Sequence, residues 1–148
     1  MNESEFEKLR GFYLEELNIG QQAITSKTIT EADIVLFSAV TGDNNPVHTS
    51  EAFAEKTIFK KRVSHGFLTA SLISTVIGTK LPGPGSIYVK QSLFFLAPVY
   101  PGDTVNIKVI VKSIDNIKRR VTLETYCEKN GEKVLNGEAV ILVKSNKN

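Results

Sequence analysis

Between residues 86 and 144 apolar and polar side chains alternate with a period of two, the pattern of half-buried β-strands. Ser86 to Leu96 sets Ile87, Val89, Leu93 and Phe95 against Tyr88, Lys90 and Ser92. After a turn at Pro98, Pro101 and Gly102, Asp103 to Ile114 sets Val105, Ile107, Val109 and Val111 against Asn106, Lys108 and Lys112. Lys118 to Lys129 carries Val121, Leu123, Thr125 and Cys127 on one face, and Lys133 to Lys144 is the last strand. The Asn130-Gly131 pair between those two runs is a two-residue hairpin signal. Earlier in the chain the period changes. Residues 20 to 29 read as a strand, through Ile24, Thr25, Thr28 and Ile29. Thr30 with Asp33 three residues on marks a helix start of the capping-box type, and Gly42 ends that helix after about Thr41. Thr49 or Ser50 caps a short helix from Glu51 to about Lys56, with Phe53 turned away from its charged face. Residues 67 to 77, with Phe67, Leu68, Ala70, Leu72, Ile73, Val76 and Ile77, form a helix apolar nearly all round, which predicts burial on most sides. Leu81-Pro82-Gly83-Pro84-Gly85 forbids its continuation.

One strand, helical material, a buried helix and four long antiparallel strands make an α+β plan in which the sheet wraps the central helix. The 148 residues suit one domain spanning the whole chain. A formal charge of +2 is too small to argue for a nucleic-acid partner. The most apolar stretch, Gly66 to Gly78, is broken by hydroxyls and is shorter than the about 20 residues a membrane span takes. The first 20 residues carry Glu3, Glu5, Glu7, Glu15 and Glu16, unlike a basic targeting leader. With one cysteine, Cys127, there is no disulfide framework, and the expectation is a cytoplasmic protein. Two histidines and one cysteine also argue against a histidine- or cysteine-rich metal site, so no metal is expected.

Two turns carry the chemistry. Gly42-Asp43-Asn44-Asn45-Pro46-Val47-His48 places a carboxylate and an imidazole five residues apart in a turn too rich in Asn and Pro for a continuous helix. Ser64-His65-Gly66 opens the apolar helix. An acid/base pair beside a helix N-terminus suits proton transfer while negative charge builds on a carbonyl oxygen. Plainer roles exist for the same residues. Asp43 can fold back on its own backbone as an Asx turn, and His48 can be a surface turn residue. Ser74 can return its hydroxyl to a helix carbonyl, and Cys127 reads as packed rather than reactive. Lys60, Lys61 and Arg62 read as a solvated loop.

The run from Phe37 to His48, Phe-Ser-Ala-Val-Thr-Gly-Asp-Asn-Asn-Pro-Val-His, resembles the overhang segment of the MaoC-like, (R)-specific enoyl-CoA hydratases. Val63-Ser-His-Gly66, Pro84-Gly-Ser-Ile-Tyr88, Gln91-Ser-Leu-Phe-Phe95, Pro98-Val99 and Pro101-Gly-Asp103 continue the resemblance, which covers roughly residues 15 to 143. It implies a hot-dog fold, a homodimer, and an acyl-CoA thioester substrate lying near the subunit interface. It also implies catalytic roles for Asp43 and His48, and for the backbone N–H of Gly66 as the donor to the thioester oxygen. Ser74 matches a serine near the family's active site. Asn45 and His65 complete the candidate substrate-binding set, His65 chiefly by bracing the turn that presents Gly66. Lys60, Lys61, Arg62, Lys80 and Lys90 are candidates for the CoA phosphates. The implied reaction is reversible hydration of trans-2-enoyl-CoA to (R)-3-hydroxyacyl-CoA. Asp43 and His48 would hold the attacking water, with no metal or redox cofactor. The alternatives are a hot-dog acyl-CoA thioesterase, a dehydratase acting on acyl groups held by acyl carrier protein, and a non-catalytic acyl-CoA-binding module.

Overall fold

A computed structural model of the chain describes residues 1 to 147. The alternating runs do form the sheet. β1 (Gln22–Thr28), β4 (Thr104–Asp115), β5 (Arg120–Lys129), β6 (Glu132–Leu142) and β2 (Ile87–Gln91) lie in the order β1-β4-β5-β6-β2, all neighbours antiparallel. The two-residue β3 (Phe94–Phe95) also pairs with β6. Registers place Ile107 opposite Cys127, Val109 opposite Thr125, and Leu123 opposite both Val111 and Ala139. All of these are buried, so one face of the three central strands is continuous core. The hairpin at Asn130-Gly131 has positive φ at both residues, 50° and 79°, as its tight turn requires.

The helix starts are set by local hydrogen bonds. Thr30 Oγ1 accepts the Asp33 N–H while the Asp33 carboxylate accepts the Thr30 N–H, a complete capping box at the start of α2 (Glu31–Thr41). Ser50 caps α4 (Glu51–Ala54). That helix is shorter than the sequence predicts, and it buries Ala54 while Phe53 stays 48% exposed. Residues 46 to 49, read from sequence as turn, form one helical turn, α3 (Pro46–Thr49): Pro46 sits at its first position and Asn45 caps it. α1 (Glu3–Leu9) was not foreseen; it is short and buries nothing. The segment after it is held against the loop beyond α5 by Gly11 N–H to Pro84 O and Phe12 N–H to Pro82 O, both 2.8 Å.

α5 (Gly66–Thr79) is the central helix and packs across β4, β5 and β1. It buries Leu68, Thr69, Ile73, Val76 and Ile77. Its other side, with Phe67, Ser71, Ser74 and Thr75, is exposed in the single chain, so the sheet covers one side rather than most of it. The expected strand 86–96 is also broken, at Ser92-Leu93, and β2 is open on both faces. The close crossing at the break is permitted by glycine: a Cβ at Gly137 of β6 would lie 1.8 Å from the Ser92 carbonyl oxygen. Ser92 Oγ accepts the Glu138 N–H at 2.9 Å, and Glu138 O accepts the Ser92 N–H at 2.9 Å. The crossing chain is pinned there. Among the described residues no helix is long and apolar enough to cross a membrane.

Candidate active site

α2 ends where Gly42 turns left-handed, with φ 76°, and this swings Asp43 out of the helix. Asp43 Oδ1 then accepts the Asn45 N–H at 3.2 Å, an Asx turn, while among the described residues its second oxygen has no protein partner. Asn45 Oδ1 in turn accepts the Val47 N–H at 3.2 Å and starts α3. One turn of helix carries His48 into the interior, where it is 9% exposed. His48 Nδ1 lies 2.8 Å from the Val63 carbonyl oxygen. A carbonyl only accepts, so Nδ1 bears a hydrogen, which in the neutral ring leaves Nε2 as the acceptor.

His65 lies directly behind this pair. Its ring stacks on His48, with centroids 3.9 Å apart and planes 30° apart, and meets Phe37 at 4.8 Å. His65 Nε2 is 3.2 Å from the Asp43 carbonyl oxygen and 3.1 Å from Ser38 Oγ. Burial pushes the His65 imidazole below the usual histidine range, against the pull of the Asp43 carbonyl, which keeps the ring neutral. A carboxylate oxygen of Asp43, a ring nitrogen of His48 and one of His65 all lie within 4.8 Å of one another. One water accepting and donating at ordinary lengths bridges two atoms about 4.5 Å apart, so a separation of up to 4.8 Å leaves Asp43 and His48 within reach of a common water. As a metal-ligand set the trio is short of donors. His65 spends Nε2–H on a backbone carbonyl, and its Nδ1 is buried.

A cavity of about 490 Å³ opens beside this cluster. His48, Asn45 and Gly66 line it, together with Thr69, Phe95 and Leu135. Gly66 is the first residue of α5, where helix geometry leaves its N–H with no intrahelical acceptor and at the positive end of a 14-residue helix. A Cβ at Gly66 would sit 2.8 Å from two ring carbons of Phe95, so only glycine leaves this corner open without moving the ring. Asp43 stands at the cluster but outside the cavity lining, and Ser74 lies on the exposed side of α5, away from the cavity in the single chain. Thr69 and Phe95 had not been singled out from the sequence as site residues. The available signal for Thr69 was a hydroxyl three residues after Gly66 on an otherwise apolar face.

The basic loop is not free solvent charge. Arg62 reaches both oxygens of Glu31 at 2.7 and 2.8 Å and Glu51 at 2.7 Å, tying α2 to α4 across the site, so its guanidinium is spent on two carboxylates. Lys61 Nζ lies 4.2 Å from the centre of the Tyr100 ring, and Lys80 Nζ donates to Ile24 O at 2.8 Å.

A curved antiparallel sheet packed on one central helix, with a helical overhang holding an aspartate and a histidine above that helix's N-terminus, defines a hot-dog fold of the hydratase type. The family model described as MaoC like domain matches residues 16–133, and the chain belongs to that family. An (R)-specific enoyl-CoA hydratase of Rhodospirillum rubrum is 49% identical over 131 residues, covering 88% of this chain and 91% of the relative. A 3-hydroxybutyryl-CoA dehydratase of Methylorubrum extorquens is 47% identical over 136 residues, covering 92% and 87%. Among solved structures, the R-hydratase PhaJ1 from Pseudomonas aeruginosa matches with a TM-score of 0.86 at 42% identity, covering 92% of this chain and 88% of that one.

Proposed function

We propose that this chain is an (R)-specific enoyl-CoA hydratase, adding water across the C2–C3 double bond of a trans-2-enoyl-CoA and running the reverse dehydration. The observation that carries the reading is His48: a buried imidazole whose Nδ1–H is held by Val63 O, with a ring nitrogen within 4.8 Å of an Asp43 carboxylate oxygen, in one cavity with Gly66. Asp43 and His48 hold a water and take one of its protons as its oxygen bonds to C3. The C2–C3 π electrons move to C2 and the thioester oxygen, where the Gly66 N–H and the α5 N-terminus stabilise the enolate. A proton delivered from the pair to C2 completes the addition and restores the site. Lys61, held over Tyr100 and two residues on from the cavity-lining Phe59, is the basic-loop residue assigned to a CoA phosphate. The (R) configuration and the CoA carrier are inferred from the relatives' names.

The same reading includes a homodimer in the cytosol. β2 ends the sheet with Ile87, Tyr88 and Val89 exposed at 58%, 39% and 45%, and Phe67 and Phe94 are each 65% exposed nearby. An uncovered apolar sheet edge of this kind invites pairing, and a second copy of the chain supplies it. Light scattering should give twice the chain mass; a monomer at micromolar concentration counts against it. For the reaction, loss of the enoyl-thioester ultraviolet absorbance of crotonyl-CoA, coupled to a dehydrogenase specific for the (R)-alcohol, should be fast. Rapid release of free CoA thiol from saturated acyl-CoA instead would make the protein a thioesterase.

A further inference from the structure

Among the described residues, two buried side-chain polar atoms have no protein hydrogen-bond partner: His65 Nδ1 and Thr69 Oγ1. Their residues are 2% and 3% exposed. His65 is the N-cap residue of α5, without a side-chain cap bond, and Thr69 stands one turn on, its N–H reaching His65 O at 3.4 Å. Their hydrogen-bonding characters are complementary. His65 Nε2 faces the Asp43 carbonyl, which only accepts, so Nε2 bears the hydrogen and Nδ1 is a bare acceptor. Thr69 Oγ1 bears a hydrogen. Other hydroxyls on α5 return theirs to the backbone: Ser71 to Leu68 O and Thr79 to Thr75 O, both at 2.6 Å. The carbonyl that Thr69 would use, His65 O, already accepts the N–H groups of Leu68 at 3.1 Å and Thr69 at 3.4 Å. A buried donor and a buried acceptor left unmatched are each costly, and these two are of opposite character.

We propose that Thr69 is a positioning residue whose hydroxyl donates to His65 Nδ1, directly on rotation about its Cα–Cβ bond or through one bound water, and so holds His65 as the Nε2–H tautomer. The effect passes to the acid/base pair. His65 Nε2–H anchors the Asp43 backbone, and the His65 ring backs His48 at 3.9 Å. A His65 free to change tautomer would turn a lone pair towards the Asp43 carbonyl and release the turn. The inference rests on the reading of Asp43 and His48 as the catalytic pair.

The test pairs ¹⁵N-histidine NMR with crotonyl-CoA kinetics on wild type, Thr69→Val and Thr69→Ser. Wild type should show the His65 Nδ1 signal of a hydrogen-bonded acceptor, and Thr69→Ser should keep it. Thr69→Val, which keeps the shape and loses the hydroxyl, should move that signal to the unbonded position. Its kcat should fall about tenfold, the worth of one ordinary hydrogen bond, with KM little changed. Thr69→Ser should recover most of the rate. An unbonded Nδ1 signal in wild type overturns the proposal whether or not any variant folds. So does a Thr69→Val enzyme with an unmoved signal or an undiminished kcat. Asp43→Asn measured alongside separates the two failures: normal turnover there would remove the catalytic assignment, while the His65 signal would still report on the Thr69 bond.

Discussion

At the scale of residues, the proposed catalytic carboxylate also has a structural task. Asp43 Oδ1 closes the Asx turn and its second oxygen is left without a partner among the described residues, so the structural and catalytic readings of that residue are compatible. The turn itself was legible in the run from Gly42 to His48, because Gly42, Asp43, Asn45 and Pro46 each have a local backbone task. The orphaned pair His65 and Thr69 was not legible. That a hydroxyl lacks a partner follows only from which carbonyls are already taken. Cys127, read from sequence as packed, is fully buried, and burial pushes its thiol up to about 12. Iodoacetamide at about pH 8 should therefore leave the native protein unmodified and label it only after unfolding. Fast native labelling would mean that β5 opens or that Cys127 is not where the fold puts it.

At the scale of elements, the starts and stops of α2 and the long strands β4, β5 and β6 were written in capping residues and period-two alternation. Local hydrogen bonds and one-sided burial both leave direct marks on sequence. The break between β2 and β3 leaves none at Ser92 or Leu93, because the room for its crossing is left by Gly137, some 45 residues away in sequence, under the Ser92 carbonyl. Gly137→Ala is the corresponding test. Its Cβ would meet that oxygen at 1.8 Å, and backbone is not free to yield. Urea unfolding should show a loss of about 3 kcal/mol or more, in the range of severe overpacking. A loss below about 1 kcal/mol would show that the crossing is looser than described. The helical turn Pro46–Thr49 was missed for a related reason: Asn and Pro mark turns and helix starts alike, and only the Val47 N–H bond to Asn45 Oδ1 decides between them.

At the scale of the whole molecule, the buried His65 links stability to pH. Its pKa in the fold lies below the unfolded value of about 6.5, so the unfolded chain binds the extra proton as pH falls. The stabilising contribution is fully present above that unfolded value and is lost as pH falls through the folded one. The urea midpoint should begin to drop as pH falls through about 6.5, above the range in which carboxylates titrate, and drop less in His65→Gln. A flat midpoint would contradict a neutral, buried His65. The uncovered side of α5 and the open β2 edge also belong to this scale. Phe67 on the one and Ile87, Tyr88 and Val89 on the other are exposed in the single chain, and they are the surface on which the proposed dimer would form.

The most direct test of the account is the turnover of crotonyl-CoA by wild type and by Asp43→Asn. Asparagine keeps the side-chain oxygen that closes the turn and removes the charge, so thermal stability should be unchanged. The hydration rate should fall at least a hundredfold, the lower range for losing a positioned acid or base. An Asp43→Asn protein that hydrates crotonyl-CoA at close to the wild-type rate would contradict the site as assigned.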